Sequence, residues 1–235
     1  MHGRRAWLTS TAMLALAACA GPNPPVPQAG SSPPQPVLPG PYQVLTPAEA
    51  ATLEAVVDRL IPADELGPGG GEAGCVLFID RQLAGPFGRS ESLYLQPPFL
   101  DGTPEQGPQS PLTPAVRLRA GLAALGAYCR AAFVGRAFAA LPPTVQDRLL
   151  SEIEDGTLAL AGVNARAWFE LVLQMTMEAF FADPIHGGNR QMAGWRLIGF
   201  PGARYDYRDW VDRHGVAYTL PPVGIGGRPG WHDAG

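Results

Sequence analysis

The apolar residues of this chain recur at helical spacing, and each such run is cut short by proline or glycine. That pattern restricts the fold to short amphipathic helices joined by long loops. Thr46-Pro47-Ala48-Glu49 opens the first helix with a Thr N-cap, Pro at the first helical position and Glu three residues after the cap. Leu53, Val56, Val57, Leu60 and Ile61 continue it along one stripe until Pro62. A Gly/Pro loop follows from Ala63 to Gly71, and a second helix is expected over Glu72 to Leu83, stopping at Gly85-Pro86. Thr113-Pro114 starts a third, with Leu118, Leu122, Leu125, Cys129 and Ala132 in line, expected to reach Ala140 before Pro142-Pro143. Val145, Leu149 and Ile153 mark a fourth, ending at Asp155-Gly156. Asn164 caps a fifth that carries Trp168, Leu171, Val172 and Met175. No run alternates with period two, so the expected class is all-α: a small irregular helical domain with long Gly/Pro-rich loops. Within it, residues 85 to 111 carry Tyr94, Phe99 and Leu100 and read as an ordered arm laid on a partner or on its own domain.

Ahead of that domain the sequence reads as an address and a leash. Arg4 and Arg5 precede an apolar stretch from Leu8 to Ala18, the length of a signal h-region and too short to span a bilayer. The arginine pair followed by Ala6-Trp7-Leu8 resembles a twin-arginine export signal; an ordinary Sec signal is the other reading. Leu16-Ala17-Ala18-Cys19 resembles a bacterial lipobox, in which Cys19 is acylated and becomes the new amino terminus. Cleavage after Ala20 by ordinary signal peptidase is the alternative. Acyl chains on Cys19 would anchor the protein stably, at about 0.8 kcal/mol per buried CH₂. Residues 20–41 are Pro-rich, uncharged and aperiodic, which makes an extended tether of roughly 60 Å in polyproline II geometry. The expected organisation is thus a signal peptide at 1–18, lipidated Cys19 and tether at 19–41, a helical domain at 42–205 and a C-terminal extension at 206–235. The expected location is periplasmic, lipid-anchored to the inner or the outer membrane.

Charge and cysteine usage exclude several functions. A net charge of −4 gives no basic surface for nucleic acid. Besides Cys19 only Cys75 and Cys129 are present, too few to ligate an iron–sulfur cluster or zinc alone. They either pair in an oxidising compartment or stay free; Cys129, on an apolar helix stripe, reads as a buried free thiol. There is no CxxCH for haem attachment, no GxGxxG after a strand for a dinucleotide, and no metal-ligand spacing among His2, His186, His214 and His232.

The most distinctive stretch is Met177 to Tyr205, MEAFFADPIHGGNRQMAGWRLIGFPGARY. Asp183-Pro184 initiates a turn, Gly187-Gly188 allows positive φ, and Asn189 can cap a short helix. Gly194 before Trp195 suggests close backbone approach beside a large ring, and Gly199, Pro201 and Gly202 stop the helix. The segment reads as a rigid hook presenting Phe180, Phe181, Trp195 and Phe200. Trp195 is either an anchor buried in a partner or a residue packing the hook on its own helices. Glu178, Asp183 and His186 also lie close enough in sequence to suggest an acid/base cluster, which would make the chain an envelope lipoprotein enzyme. The plainer reading gives Asp183 an Asx turn and His186 a local bond.

On these residues the chain resembles the gluconate 2-dehydrogenase subunit 3 family, the small subunit of membrane-bound sugar and sugar-acid dehydrogenases. The matching pieces are Arg59-Leu60-Ile61-Pro62-Ala63-Asp64, Glu72-Ala73-Gly74 and, above all, FFADPIHGGN followed by GWRLIGFPGA, over roughly residues 44 to 205. The resemblance implies a non-catalytic subunit without a cofactor of its own. It also implies a large FAD-containing partner of the glucose-methanol-choline oxidoreductase type, which oxidises the substrate. A cytochrome c subunit with haem c would carry electrons onward. The small subunit would help that partner fold and escort it through the twin-arginine pore. The hook residues Phe181, Asp183, Pro184, His186, Gly187, Gly188, Asn189, Gly194, Trp195, Gly199, Pro201 and Gly202 are then its candidate partner interface or structural hook.

Overall fold

The computed structural model describes residues 36–92, 95–100, 102–103, 106, 109–204 and 206–226. The proposed export signal (Arg4, Arg5), Cys19 and most of the tether lie outside the described residues, as do Tyr94, Trp231 and His232. Six α-helices are present: α1 Pro47–Leu60, α2 Cys75–Ala84, α3 Pro114–Ala132, α4 Pro143–Glu154, α5 Ala165–Phe181 and α6 Ala193–Leu197. Among the described residues there is no strand, only the isolated bridges Asp64–Gly67 and Gly202–Val223. The all-α expectation holds. No helix among the described residues is long and apolar enough to cross a membrane.

The first helix begins as its sequence dictates, with Thr46 Oγ1 accepting from Glu49 N and the Glu49 carboxylate accepting from Thr46 N, a closed capping box. Its Leu53, Val56 and Val57 are fully buried. Around them α5 forms the centre of the domain, packed against α1, α2, α3, α4 and α6. Its caps and contacts follow from sequence too: Asn164 Oδ1 accepts from Ala167 N, and Trp168 Nε1 donates to Leu118 O at 3.1 Å. The indole lies against Gly121 of α3, where an added Cβ would stand 2.0 Å from the ring. A glycine in mid-helix is costly by propensity; here it lets two helices approach closely.

Two helix boundaries differ from the expectation, for the same reason. The second helix starts at Cys75, not Glu72, because Gly74 adopts φ +85 and breaks the helical path. Residues 69–74 instead fold into tight turns held by Asp58, whose carboxylate accepts from Gly71 N at 2.8 Å. The third helix ends at Ala132, not Ala140. Val134 (φ 51) and Gly135 (φ 80) are both left-handed, and Gly135 N donates to Arg130 O in a Schellman closure. Chain reversal there sends Phe138 into the core, fully buried, with its carbonyl accepting from Gln146 Nε2.

The loops are tied down by a few buried polar groups. The Asp80 carboxylate, fully buried, accepts from the amides of Gln43, Val44 and Leu45 and from Arg81, fixing the segment before α1 onto α2. Val37 N donates to Ile185 O at 2.8 Å, so the last residues of the expected tether are fastened to the domain. A bidentate pair from Arg59 to Asp147, at 2.5 and 3.0 Å, links α1 to α4. The arm divides in two. Its first part folds onto the end of α2, where Arg89 Nη1 donates to Ala84 O, and onto the start of α3, where Ala115 N donates to Gly88 O, whereas Leu100 is 71% exposed.

Cys75 and Cys129 are both buried and free, as the apolar stripe implied for Cys129. Burial pushes their thiols up, to about 12 and about 11 respectively. Both therefore stay protonated in the fold, where an unfolded thiol titrates at about 8.5. The resulting stabilisation is complete below that pH and is lost as pH rises through 11 to 12. Alkylation at pH 8 followed by peptide mass mapping should label neither residue in the native chain and both after unfolding in urea.

The Gly121 contact makes a paired prediction. Gly121→Ala should destabilise the protein by about 1–3 kcal/mol through overpacking against Trp168. Gly126→Ala meets only the far end of the Arg130 side chain, at 3.2 Å, and should be neutral or stabilising by up to about 1 kcal/mol. Urea denaturation of the two variants checks both signs.

Candidate functional site

The hook grows out of the last turn of α5 and folds back over it. Ala182 leaves the helix in an extended conformation. Asp183 then caps a short 3₁₀ turn, Pro184–His186, its Oδ1 accepting from Ile185 N at 3.0 Å. This is the Asx turn expected from the Asp-Pro pair. Gly187 follows at φ +93, and its carbonyl lies against Gly74 at the start of α2. Gly188 passes so close to α5 that a Cβ would sit 2.3 Å from Ala179 O.

Asn189 is the centre of the turn. It is fully buried and left-handed (φ 45), a conformation asparagine tolerates better than most residues. Its Nδ2 donates to Ala182 O and its Oδ1 accepts from Gly194 N, both at 2.8 Å. The expected capping role is thus realised at a distance: Asn189 serves an amide in α6 and stitches it to the end of α5. Gln191 (φ 56) and Met192 (φ 59) are also left-handed, so three non-glycine residues of four share this conformation. Such positions cost about 1–3 kcal/mol each and cluster where a surface has a job.

Gly194 lies on α5 as the sequence suggested, with a notional Cβ 2.2 Å from Phe180 O and 3.0 Å from the Phe180 ring. Beside it, Trp195 is only 5% exposed. Its Nε1 donates to Phe181 O at 2.7 Å, and Phe200 meets its ring edge-on at 5.2 Å. Phe180 is likewise buried and stands edge-to-face with Phe181 at 5.3 Å. The expectation that the hook presents four aromatic rings is corrected here: Phe180 and Trp195 face inward, Phe181 is half-buried, and Phe200 alone of the four is exposed. The physical cause is the pair of close approaches at Gly188 and Gly194, which turn the hook's large side chains onto α5. Of the two readings of Trp195, the structure supports internal packing.

Beyond Gly199 (φ +68), the chain turns at Pro201-Gly202 and pairs with the tail. Ala203 N donates to Val223 O, Val223 N donates to Pro201 O, and Gly202 (φ +80) leaves no room for a side chain beside Val223. Ile225 N donates to Asp183 Oδ2 at 2.6 Å. Each oxygen of Asp183 therefore accepts from a backbone amide, one in the turn and one in the tail. His186 is exposed and is joined to Asp183 only through their main chains, His186 N to Asp183 O. The two side chains are not hydrogen-bonded to each other, so the geometry lends no support to the enzyme reading built on them. Between hook and tail end, Tyr207, Trp210 and Tyr218 cluster, with Arg204 over Tyr218 and Arg213 over Trp210.

The exposed side of the hook forms a groove with the 62–69 loop. A cavity of about 250 Å³ is lined by Leu66, Pro68, Glu72, Arg190 and Arg196. A second, of about 180 Å³, adjoins it between Ile61, Pro62, Leu66, Phe180 and Leu197. Leu66, Arg190 and Arg196 carry no sequence signal of function. Leu66 lies in a Gly/Pro loop, and the arginines are single charges in a motif dominated by glycine and aromatics. Among the described residues no group of three or more His, Cys, Asp or Glu side chains is arranged to hold a metal ion.

A family model described as gluconate 2-dehydrogenase subunit 3 matches residues 47–202, from the first residue of α1 to the Gly202 turn. The chain belongs to that family. No curated protein and no solved structure matches it. As a member of that family, it is an accessory subunit of a dehydrogenase complex. The family span takes in the hook as far as Gly202 and its seat on α2 and α5, while the tail that Asp183 holds lies beyond it.

Asn189 gives the sharpest test of this site. Asn189→Ala removes two buried hydrogen bonds and places alanine in a left-handed conformation, so a loss of about 2–4 kcal/mol is expected. Asn189→Gly keeps the backbone freedom and should lose less. Hydrogen exchange at Gly194 and indole fluorescence of Trp195 would show the hook loosening before the helical core.

Proposed function

We infer that this chain is a non-catalytic accessory subunit that binds, helps fold and escorts to the periplasm an FAD-containing catalytic subunit. The partner expected from the family is a glucose-methanol-choline-type dehydrogenase acting on a sugar, sugar acid or alcohol. A cytochrome c subunit carrying haem c completes the complex, and FAD and haem belong to those partners. Cys19, once acylated, holds the assembly at the cell envelope, and Arg4-Arg5 direct export.

The observation that carries this reading is the use made of the hook's polar groups. Asp183, Asn189 and the Trp195 indole all bond to backbone, so the motif that identifies the family is built to hold a shape. A rigid, strained loop with an exposed aliphatic and basic outer face suits recognition of a folded partner.

Co-expression with the FAD-carrying polypeptide tests it. The two should co-elute from a sizing column in mild detergent, with flavin absorbance in the same peak; elution of this chain alone would refute the reading. The purified complex also separates it from the enzyme alternative. His186→Ala should leave dye-linked substrate oxidation unchanged, whereas an acid/base role demands a loss of about 10²-fold or more.

A further inference from the structure

The two cavities beside α6 are one groove, since Leu66, Pro68 and Ala193 line both. One end is mainly apolar, closed by Ile61, Pro62, Phe180 and Leu197, with Asp64 at its edge accepting from Leu66 N in a local turn. The other is rimmed by the exposed Arg190 and Arg196, whose guanidinium groups pair with no carboxylate among the described residues, although Arg190 N donates to Ala73 O and its side chain passes over Gly74. Glu72 is the single acid there, so that end is net positive within a chain of net charge −4. Arginine forks without a carboxylate match acidic groups bidentately. The rim leaves Leu66 and Leu197 at 69 and 47% exposed. Gln191 and Met192 on this side of the groove are left-handed.

We propose that this groove seats a short segment of the FAD-carrying catalytic subunit, an apolar side chain entering the Phe180 end and a neighbouring carboxylate clamped by Arg190 and Arg196. The proposal rests on the accessory-subunit reading and names the contact through which that reading works. Charge complementarity selects the occupant. Residues 1–35 of this chain contain no Asp or Glu and offer nothing to the two arginines. Truncating either arginine removes a charge-assisted pair at a rim closed by apolar contact, which raises the dissociation rate.

The test places a photo-crosslinking benzoylphenylalanine at Leu66 or Leu197 of the full chain, co-expressed with its FAD-carrying catalytic subunit. Val134, 98% exposed at the far end of α3, is the control position. Both groove positions should capture one peptide of the flavin-carrying polypeptide in which Asp or Glu adjoins a large apolar residue, and Val134 should not. The double variant Arg190→Glu/Arg196→Glu should weaken the complex by about tenfold or more, and the milder Arg190→Gln/Arg196→Gln should do so less, both with unchanged thermal unfolding. Capture of this chain's own residues or of a second copy overturns the proposal. So does full affinity in the charge-reversed pair, or an intact complex with no capture from the groove; these leave the accessory role standing. Failure of the unmodified chain to form any complex overturns the role and the groove together.

Discussion

The hook exists because two glycines let backbone lie on backbone. At Gly188 and Gly194 the chain approaches the carbonyls of Ala179 and Phe180 so closely that no side chain fits. Once those contacts are made, the rest of the motif has little freedom. Asn189 falls into the gap between α5 and α6 and satisfies both exposed ends, Ala182 O and Gly194 N. The Trp195 indole reaches the Phe181 carbonyl that the end of α5 leaves open. The last turn of α5 is thus capped by the hook itself, through side chains of a segment with hardly any regular structure.

Much of the fold was legible because its signals are local. The capping box at Thr46, the Asn164 cap and the apolar stripes of α1, α3, α4 and α5 each act within a few residues, and each reads directly from sequence. The helix ends that were misplaced depend on left-handed residues at Gly74, Val134 and Gly135, where the chain's conformation is set by what it must next reach. In the hook, the Asx turn of Asp183 and the close approach at Gly194 were visible. The direction of the rings was not. Aromatic residues in a Gly-rich loop read equally as an anchor for a partner or as packing, and only the position of α5 beneath them decides. The groove was invisible because Leu66 and Arg196, 130 positions apart in sequence, meet only in the folded chain.

The polar groups divide into two populations with different uses. Asp80, Asp183 and Asn189 are each committed to two or more backbone partners, Asp80 and Asp183 reaching across long sequence distances and Asn189 within the hook, and they hold loops that helix propensity alone would not order. The guanidinium groups of Arg190 and Arg196 have no such carboxylate or carbonyl partner among the described residues and are exposed beside aliphatic surface. On the proposed account the first set makes the hook rigid, so that little ordering entropy is lost on association. The second set and the rim leucines then supply recognition.

Hydrogen exchange of the chain alone and in complex with the FAD-carrying subunit tests this account most directly, because it reads every backbone amide without altering a residue. The account predicts added protection at residues 190–198 and 64–68, with the α3 and α4 amides unchanged. A complex that forms while those two segments exchange as they do in the free chain would contradict it.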